Sequence, residues 1–117
     1  MYNPESCVIK SVTIAAGDTV STVLDKRYYS YITIFLPANW VTSTITFTGC
    51  DTIDGTFTQV VKASDVGALT IASVVASKCI VLDGAIIEGI LAIPFIKLVA
   101  GTAQATTDKV IKIGLRR

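Results

Sequence analysis

The sequence predicts an all-β protein, an antiparallel β-sandwich of jelly-roll-like character with about eight or nine short strands. The first observation is a strict alternation: threonines at 44, 46 and 48 alternate with Ile45, Phe47 and Gly49. A period of two is typical of a strand with one buried face. The second observation is spacing, because turn signals recur roughly every 8–12 residues, as they do in sandwiches.

The first third of the chain is predicted to form three strands. Segment 8–15 alternates as a strand with a slip near Thr13, and a second short strand is predicted at 19–24. The polar triplet at 25–27 is interpreted as a loop tip. Segment 31–36 has apolar residues at both odd and even positions, which indicates a central strand that is covered on both faces.

Turn chemistry divides the rest of the chain. Pro37 cannot donate a ladder hydrogen bond, so it is predicted to end the strand before it. Asp54 and Gly55 predict a hairpin turn, because glycine accepts a positive φ and aspartate bonds to its own backbone. Further strands are predicted at 56–61, 69–75, 78–82 (a compact buried strand), 95–100 and 109–115, with 101–108 as a flexible polar connection.

Segment 83–94 is ambiguous. Its apolar residues lie near helical spacing, but it contains Gly84 and Gly89 and ends at Pro94. Glycine and proline disfavour a helix interior. We therefore expect a loop or a single helical turn.

The composition predicts one domain, 1–117, with segment 1–7 as an extended N-terminal arm. Hydrophobic residues make up 51% and charged residues only 16%, whereas roughly 25% charged residues is usual. No apolar run reaches the ~18–20 residues of a membrane span, and no secretory signal is visible. We therefore expect other subunits to cover part of the surface.

The net charge of +1 gives no basic field for nucleic acid. Arg116 and Arg117 form a local excess, interpreted either as a solvated end or as an anchor onto an acidic neighbour. The three cysteines, Cys7, Cys50 and Cys79, have no metal-binding spacing. We expect buried thiols, with an interchain disulfide in an assembled particle as the alternative.

No catalytic, cofactor-binding or metal site is predicted. Histidine is absent, and no nucleotide-binding or hydrolase motif is present. Aspartates such as Asp51 and Asp54 fall where turns are expected, and a full calcium-loop ligand set is missing. The sequence therefore predicts a protein that is not an enzyme.

The order of several segments resembles small β-rich structural proteins encoded among the virion genes of tailed bacteriophages. The segments are SVTIAAGDTVS, YSYITIFLPANWVTSTITFTGCDTIDGTF, IVLDG and FIKLVAGTAQATTDKVIKIGLR. They are similar to that family's I-x-x-G-x-T-V-S start, P-A-x-W strand pair, D-G-x-T-Y turn and closing I-K-L-x-S-G-T…I-x-L-x-L-R. Phe57 and Phe95 stand where the family has tyrosine.

The resemblance implies a non-enzymatic virion protein of the capsid cement or decoration type, made in the host cytoplasm. Its expected partners are the major capsid protein or other virion proteins, and we expect a homodimer or homotrimer that binds no nucleic acid, membrane or cofactor. The alternatives are a glycan- or host-receptor-binding module and a tail or neck accessory protein.

Loops and termini are expected to carry the contacts, because they are free of the sheets. For the alternative receptor-binding function, the ligand-facing aromatics would be Tyr28, Tyr29 and Trp40. The candidate subunit-interface residues are Met1, Tyr2, Ile86, Ile87, Ile90, Leu91, Phe95, Arg116 and Arg117.

Overall fold

Alternating apolar and polar residues build nine strands and one short helix in residues 7–117, which the computed structural model describes. The strands form two antiparallel sheets around a shared core, so the predicted β-sandwich is confirmed. Met1, Tyr2 and the rest of the predicted arm before Cys7 lie outside the described residues. The elements are β1 (Cys7–Ile14), β2 (Leu24–Asp25), β3 (Tyr31–Phe35), β4 (Ser43–Cys50), β5 (Thr58–Gln59), β6 (Ile71–Val74), β7 (Cys79–Val81), α1 (Gly84–Ile90), β8 (Phe95–Ala100) and β9 (Lys109–Arg116).

The first sheet joins strands from the two ends of the described chain. Its order is β1-β9-β3-β7, and every pairing is antiparallel. β1 pairs with β9 along its whole length, from Cys7 opposite Arg116 to Ile14 opposite Lys109. The last strand is therefore central, and both of its neighbours come from early in the sequence.

The second sheet has the order β2-β8-β4-β5, with β6 also pairing with β4. β5 and β6 share one edge of β4, with Gln59 opposite Thr48 and Val74 opposite Ser43. The antiparallel pairing of β4 with β5 confirms the hairpin predicted at Asp54.

The inner faces of the two sheets form the core. The alternations predicted for β4 and β9 are confirmed, because Ile45, Phe47, Ile111 and Ile113 are fully buried. Burying each such side chain contributes roughly 1.5–3 kcal/mol. The other buried members of the cluster are Val12, Ile14, Leu24, Ile32, Ile34, Leu36, Trp40, Leu69, Leu82, Ile90, Ile96, Leu98, Ala100 and Leu115.

Segment 83–94 forms the seven-residue helix α1, which is longer than the single turn we expected. Its apolar residues pack inward: Ile90 is fully buried, and Ile86 and Ile87 are half-buried against the core. Gly89 permits this packing, because a Cβ there would lie 2.6 Å from Leu69 Cδ2. The glycine that counts against a helix by propensity is thus what lets the helix approach the core.

Two polar connecting segments each contain a buried polar side chain. Lys26 lies in the predicted loop tip, yet it is buried, and its ammonium group donates to the carbonyl oxygens of Leu91 at 3.3 Å and Ile93 at 2.8 Å. Gln104 lies in the predicted flexible connection, yet it is fully buried. The prediction of flexibility is wrong at Gln104, because its side chain satisfies backbone groups inside the fold, and Lys26 does the same within the predicted loop tip.

The predictions for β3 and β7 need correction. β3 is central, but it is not covered on both faces, since Tyr31 and Phe35 are exposed. β7 is an edge strand with Val81 exposed, not a buried strand. Both differences have one cause: apolar residues at both odd and even positions of a strand do not require that both of its faces are covered.

Two strand bounds also differ from the prediction. β1 runs through Thr13 without a slip, since Val12 and Ile14 are both buried on the same face. In segment 19–24, Val20 and Ser21 make only isolated bridges, and a strand begins at Leu24.

Candidate functional site: the outer face of the first sheet

The first sheet turns one face to the core and leaves the other uncovered by any described part of the chain. We call this second face the outer face. In register, Cys7, Arg116 and Tyr31 form one row across it, and Ile9, Gly114, Thr33 and Val81 form the next. The remaining members are Ser11, Thr13, Phe35, Cys79, Val110 and Lys112.

The outer face is unusually apolar for a solvent-facing sheet surface. The exposed fraction is 57% for Ile9, 64% for Tyr31, 66% for Val81 and 48% for Val110. In an antiparallel sheet with one solvated face, polar residues normally occupy that face. A contiguous exposed apolar patch is typical of a surface that another molecule covers.

A groove with a volume of about 650 Å³ crosses this face. Gly114 forms its floor, because a Cβ there would lie 3.2 Å from Phe35 Cε2 and 3.6 Å from Ile9 Cδ1. These two side chains therefore lean over the glycine from neighbouring strands. The groove continues to Tyr31 and to Arg117.

All charged residues on the outer face are cationic. Lys112 and Arg116 alternate with Gly114 on β9 and are exposed. None of the four strands of this sheet, as the structure describes them, contains an aspartate or glutamate. The surface is thus an apolar groove flanked by positive charges.

Only part of the predicted interface lies on this surface. Arg116 and Arg117 line the groove, as members of the predicted set. Ile90 and Phe95 are buried, at 0% and 5% exposed, so they present almost no surface to a partner. Their side chains already pack inside the fold.

The other predicted interface residues belong to α1 or follow it. Ile86 and Ile87 are half-buried against the core, so they offer little surface to a partner. Leu91 is 50% exposed and lies outside the outer face.

The three predicted ligand-facing aromatics do not form one surface. Trp40 is buried, and its Nε1–H donates to the Val74 carbonyl at 3.1 Å, so it cannot face a ligand. Tyr29 is half-buried, with the Lys10 ammonium 5.5 Å from its ring centre. Tyr28 alone is highly exposed, at 78%, and it has a φ of +73°.

Charged groups beside Tyr28 have perturbed pKa values. The side-chain hydrogen bonds of Arg27 lower the pKa of Asp25, and the Arg27 backbone N–H adds to this effect. Burial lowers the pKa of Lys26, which contacts carbonyl oxygens and no carboxylate in the described structure. The hydrogen bonds of Asp25 and Lys26 hold this segment in place.

Two of the three thiols lie on the outer face. Cys7 and Cys79 are exposed at opposite edges, while Cys50 is partly buried on β4. The prediction of three buried thiols is therefore wrong. Cys7 and Cys79 lie three strand spacings apart across the sheet and four residues apart along it, or about 20 Å, so they cannot form a disulfide within one chain.

The sequence missed Ile9, Phe35, Val81, Gly114 and Lys112 as site residues. A signal for the first three was present, because their strands have apolar residues at both odd and even positions.

Residues 7–117 contain no cluster of three or more His, Cys, Asp or Glu side chains suited to a metal ion. Nor does this range include a helix long and apolar enough to cross a membrane.

The fold has a counterpart among solved structures. The chain is similar to the SPBc2 prophage-derived protein YomS, with a TM-score of 0.55 over 95% of each chain. The sequences are 14% identical, so the likeness shows a shared fold alone. No family model matches the chain. No curated protein matches it.

Proposed function

We propose that the protein is a structural component of a tailed-bacteriophage particle that binds and stabilises the capsid shell as a cement or decoration protein. The observation that carries this proposal is the outer face, an apolar groove between cations that nothing in the described chain covers. The major capsid protein or another virion protein would cover it. The shared fold with a prophage-derived protein and the order of the sequence segments support a phage origin.

The mechanism of such a protein is binding free energy. Removing apolar surface from water contributes roughly 25 cal/mol per Å². A molecule that binds the assembled shell and not its separated subunits stabilises the shell by mass action. Ile9, Phe35 and Val81 supply apolar surface for this purpose without any rearrangement of the core.

Quantitative mass spectrometry of purified particles tests this function. A copy number comparable with the number of shell subunits supports a cement or decoration role. A few copies per particle would contradict it and would favour the tail or neck accessory alternative.

A homodimer or homotrimer is also part of the proposal, through surfaces other than the outer face. Ile53 and Leu91 are exposed apolar residues outside the first sheet, and Leu91 belongs to the predicted interface set. Sedimentation of the purified chain over a range of concentrations tests this assembly, and a monomer at all concentrations would contradict it.

A second candidate function is recognition of a glycan or host receptor. It is favoured by Tyr28, because a bulky residue with positive φ is strained and such residues concentrate at functional sites. The Arg27 guanidinium lies 6.0 Å from the Tyr28 ring centre. A glycan array with the wild type and Tyr28→Ala tests it, since the absence of any Tyr28-dependent signal would exclude it.

A further inference from the structure

We infer that the partner surface on the outer face presents carboxylates to Lys112 and Arg116, with an apolar side chain between them that lies on Gly114. This inference rests on the proposed function, because it names the chemistry of the molecule that covers the same face. It goes further by stating what that molecule must contain and how its groups are spaced.

Charge is the first argument. Covering Lys112 and Arg116 removes water from two cations, which is unfavourable unless opposite charges replace the water. The four strands of the first sheet contain no acidic residue that could do so. No ion pair of the described residues involves Lys112 or Arg116, so we expect a partner that buries this face to supply the carboxylates.

The geometry of β9 fixes the spacing. Lys112, Gly114 and Arg116 lie on the same face at alternate residues, so the Cα atoms of the two cations are about 13 Å apart. Phe35 lies beside Lys112 in the register, and Ile9 lies beside Gly114. The complementary surface is an apolar side chain with a carboxylate roughly 6–7 Å to each side, which an extended strand provides at alternate positions.

A second copy of the same face does not meet this requirement. A two-fold axis through Gly114 places the cations of one copy against those of the other, and no carboxylate in either sheet separates them. Like charges that are desolvated together oppose association. The occupant that we infer is therefore a different virion protein with an acidic and apolar surface.

The small area of the outer face indicates a weak contact that becomes stable when many copies bind to neighbouring sites. The four strands have eight, eight, five and three residues, so together they cover about 380 Å². A stable one-to-one interface buries about 800 Å² on each partner. One copy alone would bind weakly, whereas repeated copies on a shell would reinforce the contact through additional neighbours.

Charge-reversal variants test this inference on particles made without the protein. The probe is purified particles from phage in which the gene for this chain is deleted, to which purified Lys112→Glu, Arg116→Glu or wild type is added. Lys62→Glu is the control, because Lys62 is an exposed lysine in the loop between β5 and β6, outside the outer face, and its ion pair with Asp65 is solvent-exposed and contributes little stability. All four chains are compared by circular dichroism and thermal unfolding to verify that they fold.

We expect each charge reversal on β9 to weaken binding at least tenfold, and we expect Lys62→Glu to leave it unchanged. Wild-type binding should weaken as salt is raised, because salt screens exposed charges. On the particle, a carbodiimide should join the Lys112 amine to a carboxylate of a shell protein as an amide, while the carbodiimide takes up the water and becomes a urea.

The outcomes separate the two proposals. If the wild type does not bind the particles, the proposed function is contradicted. If the wild type binds, but Lys112→Glu and Arg116→Glu bind equally well, only the inference about acidic chemistry is overturned. Cross-links from Lys112 to a second copy of this chain, and not to a shell protein, would also overturn it.

Discussion

Gln104 and Val41 exchange two hydrogen bonds across a separation of 63 residues. The Val41 N–H donates to Gln104 Oε1 at 2.8 Å, and Gln104 Nε2 donates to the Val41 carbonyl at 3.1 Å. A third hydrogen bond runs from Nε2 to the Thr102 carbonyl at 3.1 Å. A side-chain amide thus stands where a neighbouring strand would otherwise satisfy the backbone of Val41.

Replacing Gln104 with leucine should destabilise the protein by about 2–5 kcal/mol, because it leaves the Val41 N–H and carbonyl without partners. Urea denaturation measures the change in the free energy of unfolding. Gln59→Leu is the control, since Gln59 is exposed on β5 and its replacement should cost less than about 0.5 kcal/mol. Equal stability losses for the two variants would contradict the structural role of Gln104.

Lys26→Met should lower the free energy of unfolding by about 1–3 kcal/mol at neutral pH, because it removes hydrogen bonds to Leu91 and Ile93. The size of this loss should depend on pH. Burial lowers the pKa of Lys26 below 10.5, so the unfolded chain holds the Lys26 proton at pH values where the folded chain has released it. Lys26 therefore contributes more stability as the pH rises towards 10.5.

Chemical denaturation of the wild type and Lys26→Met at a series of pH values from 7 to about 10 measures this effect. The stability difference should grow in favour of the wild type as the pH rises. A difference that stays constant or shrinks would show that Lys26 is not held in a desolvated position.

Arg27→Met should raise the pKa of Asp25 towards its ordinary value of 3.8, because the guanidinium hydrogen bonds that lower it are lost. In the wild type, Asp25 contributes stability above pH 3.8 and loses this contribution as the pH falls through its lowered pKa. Titration of the Asp25 carboxyl carbon by NMR measures the pKa in both proteins. The same pKa in the two proteins would contradict the ion pair.

Trp40 is the single tryptophan, so fluorescence reports its environment directly. Its emission should be shifted to shorter wavelength in the folded protein and should resist quenching by iodide, because the indole is buried. Trp40→Ala should cost about 3–5 kcal/mol, while Trp40→Phe should cost about 1–3 kcal/mol through the unpaired Val74 carbonyl. Ready quenching by iodide in the native state would place the indole at the surface, contrary to the structure.

The sequence was sufficient to predict strands in which apolar and polar residues alternate regularly. β8 and β9 have the predicted bounds within one or two residues, because their alternation states directly that Ile96, Leu98 and Ile113 are buried. The pairing of β1 with β9 could not be predicted in this way. The pairing depends on contacts between segments about a hundred residues apart. The alternation within one strand contains no information about which other strand it pairs with.

The candidate site was predicted only at Arg116 and Arg117. Ile9 and Phe35 belong to strands that have apolar residues at both odd and even positions. The alternation therefore does not show which face of these strands packs against the second sheet. Lys26 was missed for a related reason. Its polarity suggested solvent, but its ammonium reaches carbonyl oxygens of a loop more than sixty residues away.

The central claim is that the outer face is the surface by which the protein attaches to a particle. Maleimide labelling of Cys7 and Cys79, followed by mass spectrometry, measures the accessibility of this face in the free and particle-bound protein. We expect both thiols to react at least tenfold more slowly on the particle, while Cys50 on the second sheet reacts at an unchanged rate. Equal reactivity of Cys7 and Cys79 in the free and bound states would contradict the claim, because the outer face would then remain open to solvent on the particle.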